Sequence, residues 1–221
     1  MPRIGFRPAI DGAPDCPLPY EELPRVGWGA PEPLPDEVRF RRAVAWHPDG
    51  LYVLVEIDDP DRFPPPAGEP VYCGDSVELY IDDDGAYAAR PSYDDPGTVQ
   101  LIAAAPDSDE RPVQRGQRFA RRVLGVWGTE GFIVAPRPGG YRLEAFVEAT
   151  DVGVSGWVLA AGGRVGLATS VNVSTPDGST AEACGFRLGQ FFDRVVSPAT
   201  ITPCEGLPWC DVRPLCTPEL R

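Results

Sequence analysis

The sequence predicts an all-β fold: an antiparallel β-sandwich with jelly-roll or immunoglobulin-like layering and a disulfide-rich C-terminal tail. Three observations carry that prediction. Across residues 43–85 apolar side chains recur at every second position: Leu51, Val53, Val55 and Ile57 against Tyr52, Leu54 and Glu56, then Val77, Leu79 and Ile81 against Ser76, Glu78 and Tyr80. That period belongs to half-buried strands. The 24 glycines and 27 prolines stand between short apolar runs, which is the composition of a loop-rich β protein. No segment has the length and period of an amphipathic helix, so the crossovers that a parallel sheet requires are missing.

Taken in order, residues 1–36 are rich in turns, with Ile10-Asp11-Gly12 ahead of a proline-dense approach to a strand at 37–46. His47-Pro48-Asp49-Gly50 reads as a tight turn: proline presets φ, and Gly50 is able to take a positive one. The strand at 51–57 runs into Asp58, Asp59 and Asp61, and the strand at 75–82 into Asp82, Asp83 and Asp84. After an irregular loop, a strand at 98–104 puts Val99 and Leu101 on one side and Gln100 on the other. Residues 119–127 and 131–136 read as a hairpin around Gly128-Thr129-Glu130-Gly131. The strand at 140–149 alternates Tyr141, Leu143, Ala145 and Val147 with Arg142, Glu144, Phe146 and Glu148, and residues 150–153 allow one helical turn. In the last long strand, 164–174, Val165, Leu167, Val171 and Val173 are interrupted by Thr169 and oppose Arg164, Ser170 and Asn172. Short strands near 185–188 and 199–202 complete the sheets. With no repeat and no long linker, residues 1–203 form one sandwich, and residues 204–221 a cysteine-rich tail packed on its outside.

A net charge of −13, with arginine as the only strong base, argues against nucleic acid and anionic membrane surfaces as partners. No apolar run approaches the ~20 residues of a membrane span. Six cysteines, Cys16, Cys73, Cys184, Cys204, Cys210 and Cys216, predict disulfides in an oxidising compartment. A zinc site is the rival reading, but Cys204, Cys210 and Cys216 lack a CxxC knuckle and His47 lies far away in sequence. The first residues have no apolar signal core. The cysteines therefore predict an extracellular, periplasmic or cell-surface protein whose export signal is not in this sequence.

Glu78, Gln100, Arg142, Glu144 and Asn172 all fall on the polar sides of their strands. If those strands share a sheet, the side chains project from one face, with Tyr72 nearby as an aromatic plane. Such a surface suits sugars, whose hydroxyls need polar partners and whose CH faces stack on rings. An ordinary solvated sheet face accounts for the same pattern. Asp58, Asp59, Asp61, Asp82, Asp83 and Asp84 form oxygen-rich loops of the calcium-binding type, although aspartate is common in turns anyway. Catalysis has little to work with. One histidine, His47, stands in a turn, and Glu78 with Glu144 on a flat face lacks the desolvation a glycosidase acid requires.

Trp46-x4-Leu51-Tyr52-Val53-x-Val55, then Asp58-Asp59-Pro60-Asp61, then Asp75-Ser76-Val77-Glu78-Leu79-Tyr80-Ile81-Asp82 resemble the family 9 carbohydrate-binding modules of the wider DOMON-like β-sandwich group. Ile10-Asp11-Gly12 resembles the opening motif of that family, and the match extends over roughly residues 8–190. The resemblance implies a calcium-stabilised, non-catalytic sandwich that binds sugars between aromatic rings. Tyr72 stands at one stacking position, Glu78 at the acidic sugar ligand and Asn172 at the asparagine of the late strand. A tyrosine replaces the family's tryptophan, Val173-Ser174-Thr175-Pro176 replaces an acidic continuation, and Phe186 is the one candidate for the second ring. The alternative is a surface structural or protein-interaction module with a degenerate sugar site. The haem-binding branch of the group uses methionine with histidine or lysine; here Met1 is the only methionine and lysine is absent, so no haem is expected.

Overall fold

The structure, a computed structural model, describes residues 1–23, 26–28, 36–83, 97–108, 110–120, 123–128, 130–153, 159–175 and 187–192. The expected tail at 204–221, the strand at 199–202, and Asp84, Cys184 and Phe186 lie outside those residues. Twelve strands are described: β1 (Glu21–Glu22), β2 (Val26–Trp28), β3 (Arg39–His47), β4 (Gly50–Asp58), β5 (Ser76–Asp82), β6 (Thr98–Ala104), β7 (Gly116–Ala120), β8 (Val123–Val126), β9 (Phe132–Arg137), β10 (Gly140–Glu148), β11 (Gly166–Thr175) and β12 (Arg187–Phe192). A helical turn, α1 (Ala149–Val152), follows β10 where the sequence allows one.

The strands form two antiparallel sheets, in the orders β1-β3-β4-β10-β9 and β2-β12-β11-β5-β6-β7-β8. Alternation decides which face turns inward. Leu51, Val53, Val55 and Ile57 of β4 share a buried core with Val77, Leu79 and Ile81 of β5, Val99 and Leu101 of β6, and Leu143, Ala145 and Val147 of β10. Each fully buried Leu, Ile or Val side chain contributes roughly 1.5–3 kcal/mol, so a one-residue slip of any central strand would turn its apolar set out to water.

Two expected turns are revised. Residues 119–127 and 131–136 do not make a hairpin with each other. β7 pairs with β8 in the seven-stranded sheet, and β9 pairs with β10 in the five-stranded one. The chain changes layers between β8 and β9, where Trp127 is buried between the sheets and stacks on Phe132, with ring centroids 4.1 Å apart. Gly50 does close the β3–β4 hairpin, but not through a positive φ. A Cβ there would collide with the Val147 carbonyl of β10, so the position is glycine for close approach.

The outer face of the five-stranded sheet is covered by the N-terminal segment. Ile4 is buried against Ala43, Ala45, Tyr52, Leu54 and Phe146, with Ile10, Cys16 and Leu18 packed around them. Ile4 N donates to Trp46 O at 2.9 Å, and Trp46 N to Pro2 O at 3.0 Å.

Candidate functional site

In the seven-stranded sheet, β5 lies between β11 and β6, with Glu78 opposite Ser170 on one side and Ile102 on the other. The same registers set Asn172 beside Ser76 and Tyr80 beside Gln100. Because directly opposed residues in antiparallel strands share a face, these polar side chains gather on the outer surface of one sheet. Glu78 is their centre. Its Oε2 accepts from the Tyr80 hydroxyl, from Gln100 Nε2 at 3.0 Å and from Ser170 Oγ at 3.1 Å. Its Oε1 accepts from Asn172 Nδ2 at 2.8 Å, which also donates to Ser76 Oγ at 2.8 Å. Asn172 Oδ1 has no hydrogen-bond partner among the described residues.

The cluster is closed from solvent. Glu78 is 2% exposed, Gln100 7% and Asn172 0%, whereas the alternation alone reads as an open face. Tyr72 does stand in the open, at 37%, on a short 3-10 turn, Val71–Cys73. Val71 anchors that turn to the same outer face, packing on Ile102 and Ala104 and donating its N–H to Gln117 Oε1 at 2.9 Å. Cys73 next to it is disulfide-bonded. Cys16 is a free thiol, pushed up by burial and by the Asp15 charge, so not all six cysteines pair.

Arg142 does not join this group. It belongs to β10, in the other sheet, where it donates to Glu56 Oε1 through Nε at 2.8 Å and Nη2 at 2.5 Å. Burial pushes the Glu56 carboxyl up, but hydrogen bonds from Arg142 and Arg41 outweigh it and hold the group below its usual range. Glu144 is also on β10, and its role is to hold the N-terminal segment. Oε2 accepts the N–H groups of Asp11, at 3.2 Å, and Gly12, at 2.7 Å, while Oε1 accepts the Tyr52 hydroxyl at 2.5 Å. Burial raises the Glu144 carboxyl above its usual range against the pull of those donors. Glu78 and Glu144 thus lie on outer faces of opposite sheets and cannot flank one bond. Parity along a strand is legible in sequence; which sheet the strand joins is not.

The aspartate runs are divided in a similar way. Asp58 pairs with Arg137, and Asp82 accepts from Thr98 Oγ1 at 3.1 Å. Asp61 donates its N–H to Asp59 Oδ1 at 3.1 Å. Asp59 Oδ2 is buried without a partner among the described residues, and beside it stands Asp75, whose place in the sequence gives no sign of a site. Asp75 accepts from Phe63 N at 2.7 Å and Ser174 N at 2.5 Å, tying the loop before β5 to β11. Burial and then the Asp59 charge push its carboxyl well above the usual range. No three His, Cys, Asp or Glu side chains among the described residues converge on a point that could hold a metal ion. Asp84 lies outside the described residues; among the others, Asp59 has a spare hard oxygen beside a second buried carboxylate, a donor of the type calcium takes. Ser76, Tyr80 and Ser170 complete the polar cluster; sharing the parity of Glu78 and Asn172 was the signal for them.

No family model and no curated protein sequence matches the chain. Solved structures do. A family 9 carbohydrate-binding module from Caldicellulosiruptor kristjanssonii in complex with glucose superposes with a TM-score of 0.63 at 18% identity, covering 100% of this chain and 95% of that one. A cellotriose complex of a module from the same organism gives 0.63 at 17%, covering 98% and 90%. A Bacteroides uniformis protein gives 0.57 at 11%, covering 92% and 87%. The fold is that of the family 9 carbohydrate-binding modules, over essentially the whole chain.

Proposed function

We propose that this chain is a non-catalytic carbohydrate-binding module, acting outside the cell or on its surface, that recognises a sugar or oligosaccharide at Glu78, Gln100 and Asn172 with Tyr72 at the rim. The observation that carries the reading is the convergence of those polar side chains on one sheet face with the buried Asn172 Oδ1 left unpaired, a spare acceptor for a sugar hydroxyl. The superposed relatives that hold glucose and cellotriose support it. Because the cluster is shut, a sugar reaching it has to open the face. Association is therefore expected below the ~10⁵–10⁷ M⁻¹s⁻¹ of partners that dock without a conformational change.

The test is calorimetric titration with glucose and cellotriose, followed by a glycan array, in calcium-containing buffer. Binding is expected, weakened up to about tenfold in Asn172→Ala and Tyr72→Ala, the loss of one neutral hydrogen bond or one stacking ring. Titrations flat for every sugar would overturn the reading.

Calcium belongs to the same proposal, with Asp59 and Asp75 as the residues that would hold it. Added calcium is expected to raise the thermal midpoint by several degrees in the wild type and not in Asp59→Ala. An equal rise in both would exclude Asp59 as a ligand.

A second reading, a structural or protein-interaction module with a decayed sugar site, is favoured by one observation: Glu78 already has four side-chain donors and lies out of reach of solvent. Flat sugar titrations together with an intact fold would select it.

A further inference from the structure

The seven-stranded sheet ends at β8, which pairs with β7 and, among the described residues, has no neighbour on its other side. One backbone hydrogen bond fixes which groups face that open side. Trp127 N donates to Gly116 O at 3.3 Å, and in an antiparallel pair such bonds recur at every second residue. Val123 and Gly125 therefore turn their N–H and C=O groups to β7, while Leu124 and Val126 turn theirs to the open edge. The strand is also apolar in the open: Val123 is 65% exposed, Leu124 46% and Val126 80%. Sheet edges are usually blunted by charge or covered by chain. In the five-stranded sheet, β1 is a pair of exposed glutamates and β9 is bridged by Val113. β8, Val-Leu-Gly-Val, has neither guard.

We propose that β8 is a self-association edge: a second copy of this chain adds its own β8 antiparallel, about a two-fold axis at Gly125. In this register Leu124 of each copy opposes Val126 of the other, and each such pair exchanges two backbone hydrogen bonds. Three observations point to a second copy as the occupant. An apolar strand with unbonded backbone groups is matched by a strand offering the same. β8 carries no charge, so two chains of net charge −13 meet on a strand that adds no repulsion of its own. Arg121 and Arg122 precede β8 in sequence and Glu130 follows it, so antiparallel pairing sets the basic approach of one copy against the acidic exit of the other. A two-fold pairing uses each edge once and closes at the dimer instead of growing into a fibre. Pairing of so short a strand buries less than the ~1,200 Å² of a stable interface, so the dimer is weak and reversible. Leu124 lies opposite Phe119, Phe119 opposite Gln100 and Gln100 opposite Tyr80, on the face that carries Glu78. Opposed residues share a face, so the joined sheet turns the Glu78 face of both copies to one side. The pairing itself does not depend on sugar recognition.

The test is sedimentation equilibrium of the full chain from micromolar to millimolar concentration, with a non-reducing denaturing gel to exclude dimers linked through Cys16. The mean mass is expected to rise reversibly from monomer toward dimer and no further. Val126→Pro deletes an N–H that points away from β7 in the single chain. By symmetry the dimer loses two hydrogen bonds, and its dissociation constant should rise at least about tenfold while circular dichroism stays native. Leu124→Lys and Val126→Glu should each weaken the dimer alone. Mixed, they should associate more tightly than either by itself, because the register opposes the two substituted positions. A wild type that stays monomeric throughout would overturn the proposal. So would a dimer undiminished in folded Val126→Pro and Leu124→Lys proteins, growth beyond the dimer, or a mixture no tighter than its components.

Discussion

The Glu78 carboxylate accepts from four side chains in a closed site, and that number governs what substitution there does. Glu78→Ala strands the Tyr80, Gln100, Ser170 and Asn172 donors together, and is expected to cost about 3 kcal/mol. Glu78→Gln keeps the shape and converts one acceptor into a donor, so it should cost less. Chemical denaturation checks the order: the midpoint should fall most for alanine, and an alanine variant as stable as wild type would show that the network adds nothing to stability. At this scale much was legible in the sequence. Glu78, Gln100 and Asn172 were picked out by parity, and parity is a local property of a strand. Arg142 shared the parity but not the sheet, and no local pattern distinguishes the two. Asp75 was missed because an aspartate at a strand's start reads as turn chemistry until Ser174 and Phe63 are seen to converge on it.

Among the elements, the N-terminal segment depends on one turn. Gly12 has φ of +92°, its N–H is held by Glu144, and a Cβ there would lie 2.7 Å from Ala135 Cβ. Gly12→Ala meets both the backbone penalty and the contact, for a cost on the order of 2 kcal/mol. The lifted segment should expose the Arg3–Ile4 bond, since Ile4 is otherwise buried. Faster trypsin cleavage there than in wild type is the expected outcome; an unchanged cleavage rate would mean that the segment is held elsewhere. The Ile10-Asp11-Gly12 turn was visible in the sequence, but Glu144 as its anchor was not, because the two lie more than 130 positions apart. The layer change at Trp127 was hidden for a related reason: a stretch of apolar alternation ending in glycines looks alike whether the chain turns back in one sheet or crosses to the other.

For the whole molecule, the buried acids set the pH response. Burial raises the carboxyls of Asp59, Asp75, Glu144 and Asp151 above their ordinary values. A group raised on folding adds stability that is fully present below its unfolded value, near pH 4, and is lost as pH rises through the folded value. Glu56, held low by its arginines, acts in the opposite sense and fails only below its unfolded value. A net charge of −13 adds self-repulsion that acid relieves. The thermal midpoint in chelator-containing buffer is therefore expected to be higher at pH 5 than at pH 8. A midpoint falling steadily over that interval would contradict the assignment of these groups as buried acids. No helix is long and apolar enough to cross a membrane among the described residues.

By itself, the sequence determined the central strands, their inward and outward faces, and hence the sandwich, because a two-residue period is written in consecutive side chains and burial follows from it; β1, β2 and the β7–β8 pairing, short and weakly alternating, were not legible in it. The tertiary structure decided which strands are neighbours, and that Arg142 and Glu144 lie on a different sheet from Glu78. Those outcomes depend on pairing across long stretches of chain, where the free energy lies in contacts that no local window contains.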